Sequence, residues 1–165
     1  MTRFPPELFD RCDLALRIEP PGFDPAGLTD IQWRADACTP GSVLCFQRFD
    51  DGRSDAEIVE RYLMGSPFAL LVINRPLDCF DRLPGRAIHV TAPGAWGATL
   101  KRLCDHFLPL APGDWQIAAV TGTNGKTTTV KYLEAMLLAE GRRVLGIGTL
   151  GLALNGKPEG ATGFT

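Results

Sequence analysis

A chain of 165 residues that is 45% hydrophobic and 22% charged, with 18 glycines, lies near the averages of folded soluble proteins, which excludes disordered and fibrous classes. Its formal charge of -2 and scattered Lys and Arg residues provide no basic field for a polyanion, so nucleic acid is not an expected partner. No apolar run approaches the roughly 18 residues of a membrane span, and the first residues lack a signal peptide's apolar segment, so a cytoplasmic protein is expected.

The first predicted elements are strands over residues 29–35, with Ile31, Trp33 and Ala35 on one face, and 42–48, joined through Pro40-Gly41. After the Asp50-Asp51-Gly52 loop, Ser54 stands three residues before Glu57, as in a capping box. It opens a helix whose apolar stripe is Ile58, Val59, Tyr62 and Leu63 and which stops at Gly65. Residues 68–73 are apolar on both faces, as a strand covered by helices on each side should be. A shorter strand over 87–90 follows. Leu100, Leu103, Cys104 and Phe107 then fall at helical spacing, and Pro109 must end that helix.

Cys12, Cys38, Cys45, Cys79 and Cys104 are an odd set with no Cys-x-x-Cys pair, which fits neither a disulfide framework nor a zinc site. They read as reduced packing residues. His89 and His106 stand far from each other and from any patterned cysteine, so neither is expected to ligate a metal.

Leu108-Pro109-Leu110-Ala111-Pro112-Gly113-Asp114 resists regular structure and marks the expected domain junction, with residues 1–111 before it and 112–165 after it. Beyond it a strand over 116–121, a helix over 127–140 with Val130, Leu133 and Leu137 on its core face, and a strand over 144–149 compose an expected βαβ unit with a parallel sheet. One such unit is too small for a doubly wound core, so this domain reads as the beginning of a larger one. The fold class expected is α/β throughout.

Between that strand and helix stands Gly122-Thr123-Asn124-Gly125-Lys126-Thr127-Thr128. Glycines let backbone N–H groups approach an anion closely, and a helix N-terminus adds partial positive charge. Lys126 is therefore expected to reach the β- and γ-phosphates of ATP, and the Thr127 hydroxyl to ligate Mg2+. Thr128 offers a further hydroxyl and N–H. Only Thr123 and Asn124 separate Gly122 from Gly125, so the generic P-loop spacing of four residues is not met.

The shorter string from Thr121 to Thr129 resembles the ATP loop of the Mur ligases and their relatives. Folylpolyglutamate synthetases resemble it only as far as Lys126 and continue with Gly-Ser. Ile147-Gly148-Thr149-Leu150-Gly151, Asn155-Gly156-Lys157 and Ala161-Thr162-Gly163-Phe164-Thr165 are similar to the MurE type, which adds the third amino acid to UDP-MurNAc-dipeptide. Upstream, residues 39–46, the Asp51-Gly52 loop and the helix and strand ending at Ile73 are similar to that type's uridine-nucleotide-binding domain. The resemblance covers most of the chain, strongly after Ala118 and weakly before it.

It implies a small N-terminal α/β domain of the UDP-MurNAc-binding type over 1–111, followed by the start of the central ATP-binding domain over 112–165. It further implies an ATP- and Mg2+-dependent carbon–nitrogen ligase of peptidoglycan precursor synthesis that adds diaminopimelate or lysine to UDP-MurNAc-L-Ala-D-Glu through an acyl phosphate of the latter. Lys126 would stabilise the transferring phosphoryl group, and Thr165 would match the first threonine of a substrate-side Thr-Thr-Pro. A monomer is expected. Two departures stand out: Arg34-Ala35-Asp36 where many members carry Asp-Ser-Arg, and Phe164 where many carry Asn. The first predicts weak uridine binding. The family's later acidic magnesium ligand, carbamylated lysine and C-terminal domain are not in these 165 residues, so the chain alone is expected to be inactive. Two other readings stand beside the ligase: a non-catalytic nucleotide-binding module, and a cyanophycin-synthetase-like enzyme. The latter expects a large ATP-grasp domain upstream, for which the residues before the loop leave no room.

Overall fold

The most apolar runs of the first hundred residues become the central strands of one sheet in the computed structural model, which describes residues 5–109, 113 and 115–158. The chain divides into two compact units, Met1–Ala111 and Pro112–Thr165. Both mix helix and strand.

In the first unit, β1 (Leu14–Ile18), β2 (Asp30–Gln32), β3 (Ser42–Phe46), β4 (Leu70–Ile73) and β5 (Ala87–Thr91) form a sheet in the order β1-β5-β4-β3-β2. The strands β2 to β5 run parallel, and β1 lies antiparallel on β5. Every residue of β4 and β5 is buried, as expected of strands covered on both faces. Leu44, Leu71, Ile73, Ile88 and Val90 face Ile58, Val59 and Leu63 of α1 (Asp55–Ile58) and of the π-helical turn Val59–Leu63 that continues it. On the other face Val43, Cys45, Leu70, Val72 and Ala87 meet Phe9, Leu28 and Leu103, the last from α2 (Trp96–Phe107).

The Ser54 hydroxyl accepts the Glu57 N–H at 3.2 Å, so the cap read from spacing forms. The strand expected over 29–35 is shorter. Among the described residues only β3 pairs with β2, and from Ala35 the chain coils into a 3-10 turn whose N-cap Arg34 is ion-paired with Asp36. The edge strand β1 was not expected; its pairing with β5 is a long-range contact that local periodicity does not announce.

In the second unit α3 (Lys126–Ala139) is followed by β6 (Leu145–Gly148), β7 (Gly151–Leu154) and β8 (Lys157–Pro158), a sheet in the order β6-β7-β8 with both pairings antiparallel. This corrects the expected βαβ unit. Residues 116–121 form no strand, and Ile117 is 92% exposed. A strand exists only where a neighbour supplies ladder hydrogen bonds, and β6 finds its partner in β7 across a two-residue turn. Along α3 the expected core residues Val130, Leu133 and Leu137 are half-buried, and Glu134 is the buried one. Its carboxylate accepts the Gly156 N–H at 3.1 Å and the Lys131 ammonium at 2.7 Å. Asn155 and Gly156, both at positive φ, turn β7 into β8, the pair such a turn favours. The Asn155 side chain also accepts the Val144 N–H at 2.9 Å.

Candidate functional site

Gly122 and Gly125 have φ of 142° and 78°, in the region where a side chain is strained. A Cβ on Gly125 would meet nothing within 4 Å, so its conformation and not crowding demands glycine. Gly125 is the N-cap of α3, with no side-chain cap bond and no acidic residue in the first turn. The N-terminal N–H groups of a 14-residue helix thus keep their positive end uncompensated by a carboxylate.

Beside this end lies a cavity of about 730 Å³. Residues 123–128, Val130 and Lys131 line one side, and residues 146–153 of β6, β7 and their turn line the other. The structure therefore brings together Thr123, Asn124, Gly125, Lys126, Thr127 and Thr128, as the sequence suggested. Gly122 is not part of the wall, but its carbonyl accepts the Lys126 ammonium, which also reaches the Thr123 carbonyl at 3.4 Å. The one flexible cation of the loop is parked on the loop's own backbone. The Thr127 hydroxyl stands 3.4 Å from that of Thr149. Thr165 lies outside the described residues.

Lys131, Thr149 and the glycines of β6 were not singled out as site residues. Gly146, Gly148 and Gly151 at short spacing were the available signal for a backbone that passes close to something. Gly146 does so, because a Cβ there would come within 3.5 Å of the Glu134 carboxylate. Among the described residues no group of three or more His, Cys, Asp or Glu side chains could hold a metal. The side-chain oxygens at this cavity are those of four threonines and Asn124, which suit a hard cation carried chiefly by phosphate and water.

The first unit has two further hollows. One of about 630 Å³ is lined by Trp33, Arg34, Asp36, Phe46 and Tyr62 among others, and one of about 530 Å³ shares Trp33, Phe46 and Tyr62 and adds Phe49 and Trp96. The bidentate Arg34–Asp36 contact depresses the Asp36 pKa. Nearby, the Arg53 guanidinium holds Asp51 down at about 2, and Arg48 donates to Asp51 and Asp55. The five cysteines are free, and burial raises the thiol pKa of each, most in Cys45. That keeps them protonated and fits a packing role. His89 is fully buried in β5, with Nε2 2.7 Å from the Glu19 carboxylate and Phe9 edge-on at 4.5 Å.

No family model matches the chain. Over part of its length it is 55% identical across 104 residues to the UDP-N-acetylmuramoylalanine--D-glutamate ligase of Corynebacterium jeikeium, a stretch covering 51% of this chain and 20% of that protein. The corresponding enzyme of Thermobifida fusca is 62% identical over 42 residues, 26% of this chain and 9% of its own length. The UDP-N-acetylmuramoyl-L-alanyl-D-glutamate--2,6-diaminopimelate ligase of Xanthomonas campestris is 42% identical over 83 residues, 50% of this chain and 16% of its own. The matched relatives are Mur ligases of two amino-acid-adding types, and the matches span a fifth or less of each. The glutamate-adding relatives match at the higher identity. Among the described residues no helix is long and apolar enough to cross a membrane.

Proposed function

We propose that this chain carries the ATP-phosphate site of a carbon–nitrogen ligase of peptidoglycan precursor synthesis, extending the peptide on UDP-MurNAc by one amino acid in the cytoplasm. The observation that carries this reading is the cavity walled by residues 123–128 at the uncapped N-terminus of α3, with Lys126 at its edge. The partial matches to Mur ligases support it independently. The first unit is assigned as the UDP-MurNAc-binding type of domain, and the second as the start of the ATP-binding domain.

In this reading the substrate carboxylate attacks the γ-phosphorus of ATP, ADP leaves, and the amine of the incoming amino acid displaces phosphate from the acyl phosphate. The N–H groups at the start of α3 hold the phosphates, and the left-handed Gly122 and Gly125 let the backbone approach them. Lys126 exchanges the Gly122 and Thr123 carbonyls for β- and γ-phosphate oxygens, where its charge offsets the negative charge of the transferring group. Thr127 would hold Mg2+, which supplies charge neutralisation across the phosphates when bound. These parts act by positioning and electrostatics rather than through a covalent enzyme intermediate.

The MurE-type string at residues 147–151 favours addition of diaminopimelate or lysine to UDP-MurNAc-L-Ala-D-Glu. A second reading, addition of D-glutamate to UDP-MurNAc-L-Ala, is favoured by the 55% and 62% identities to glutamate-adding relatives. Titrating the chain with ATP and Mg2+ by calorimetry tests the shared part: binding is expected, and Lys126→Ala should weaken it. Unchanged affinity in that variant rejects the phosphate-loop assignment. Offering the complete gene product each acceptor with each amino acid separates the two readings by which pair releases phosphate.

A further inference from the structure

We propose that Thr149 is a positioning residue for the metal at this site, accepting the Thr127 hydroxyl proton so that the Thr127 lone pairs face the cation. The inference rests on the ATP reading given above. A threonine hydroxyl has one proton and two lone pairs. When a lone pair binds a cation, the proton must point elsewhere, and it is stabilised if an acceptor waits there. Groups that orient a metal ligand in this way contribute to affinity without touching the metal. In the ligand-free geometry the Thr149 Oγ1 is 3.4 Å from the Thr127 Oγ1, and either can donate. Cation binding removes that ambiguity: Thr127 becomes the donor and Thr149 the acceptor. Hydrogen bonds of this kind are often long before the ligand arrives and tighten in its complex.

A short turn and two ties of its sheet to α3 hold Thr149 near the helix that carries Thr127. The β6–β7 connection is a two-residue turn closed by the Gly148–Gly151 pair, so Thr149 has little freedom to wander. Gly151, at φ 93°, meets the backbone demand of that turn. The sheet behind it is bolted to α3, because the buried Glu134 accepts the Gly156 N–H at 3.1 Å and packs against Gly146 in β6. Thr127 and Thr149 both line this cavity. With no carboxylate cluster at hand among the described residues, the orientation of the one hydroxyl ligand matters more than it would in a carboxylate-rich site.

The test measures ATP affinity of the chain in excess Mg2+ and in chelator, for wild type, Thr149→Val, Thr149→Ala and Thr149→Ser. Losing one neutral hydrogen bond corresponds to roughly a three- to tenfold change, so both Thr149→Val and Thr149→Ala should lose that factor in Mg2+ and none in chelator, and Thr149→Ser should retain wild-type behaviour. Thr149 is exposed, and the alanine variant shows whether β-branching alone matters. Equal loss with and without Mg2+ would mean the hydroxyl only braces the turn, and no loss in either would mean it does nothing; each overturns the inference while leaving the ATP reading intact. Absence of ATP binding by the wild-type chain in both conditions would overturn that reading, and this inference with it.

Discussion

Lys126 shows how one residue can be both present in a site and withdrawn from it. Its ammonium donates to Gly122 and Thr123 carbonyls, so on the proposed reading a phosphate oxygen would replace a neutral acceptor with a charged one. Such charge-assisted contacts are worth about 1.5–3 kcal/mol, and Lys126→Ala should therefore weaken ATP binding roughly tenfold to a hundredfold by calorimetry. The loss should persist in chelator, because it does not pass through the metal. His89 makes the opposite case, a titratable group with no claim on a ligand. Burial lowers its pKa, outweighing the Glu19 carboxylate that raises it; Arg17 lowers it slightly further. The unfolded chain thus binds the proton more readily than the folded one. Stability is then full above the unfolded pKa of about 6.5 and declines as pH falls through it, with a slope of at most about 1.4 kcal/mol per pH unit. Urea midpoints between pH 7.5 and 5.5 should fall in wild type and flatten in His89→Gln; a wild-type midpoint independent of pH over that range rejects the assignment.

Among the elements, α3 and its neighbours depend on an anchor that periodicity could not find. A charged residue at 134 interrupts the apolar stripe of Val130, Leu133 and Leu137, yet it is the most deeply buried side chain of the helix. Its partners are a lysine one turn away and a backbone N–H in a turn 22 residues on. Removing one partner of a buried polar contact costs about 1–3 kcal/mol, so Glu134→Ala should lower the stability of the second unit by that order. Hydrogen exchange should show it in the amides of β7 and β8, whereas an effect spread evenly over both units would argue against the anchor. The glycine loop and the helix start behind it were legible because their demands are local: two glycines at positive φ and a helix-forming run in contiguous sequence. The covered strand β4 was legible because burial on both faces writes an unbroken apolar run, and β3 and β5 because their runs are apolar but for Ser42, His89 and Thr91. The edge strand β1 and the β6–β7 pairing were not, since each depends on which distant or neighbouring segment offers a ladder. Residues 116–121 carry a strand's composition, but no such ladder reaches them.

At the scale of the whole molecule the two units differ in how much each buries. In the first, a five-stranded sheet is covered on both faces, and its largest fully buried side chains include Phe9, Phe68, Leu44 and Leu103. In the second, the described residues bury few side chains besides Glu134 and Ala153, while Tyr132, Met136, Ile147 and Leu150 are 57–69% exposed. Apolar burial is the main favourable term in folding, at about 25 cal/mol per Å², so the second unit should be much the weaker. Denaturant unfolding of the chain should accordingly show two transitions. Hydrogen exchange should assign the earlier one to α3 and β6 to β8, and the later one to β3, β4 and β5. A ligand that binds only the folded second unit stabilises that unit by about 2.7 kcal/mol at a hundredfold excess over Kd. ATP with Mg2+ should therefore move the early transition toward the late one and leave the late one in place. Lys126→Ala should blunt that movement, because it lowers affinity while the unliganded unit keeps its own contacts. A single transition that follows both sets of amides together, or one that ATP shifts as a whole, would show that the two units unfold as one.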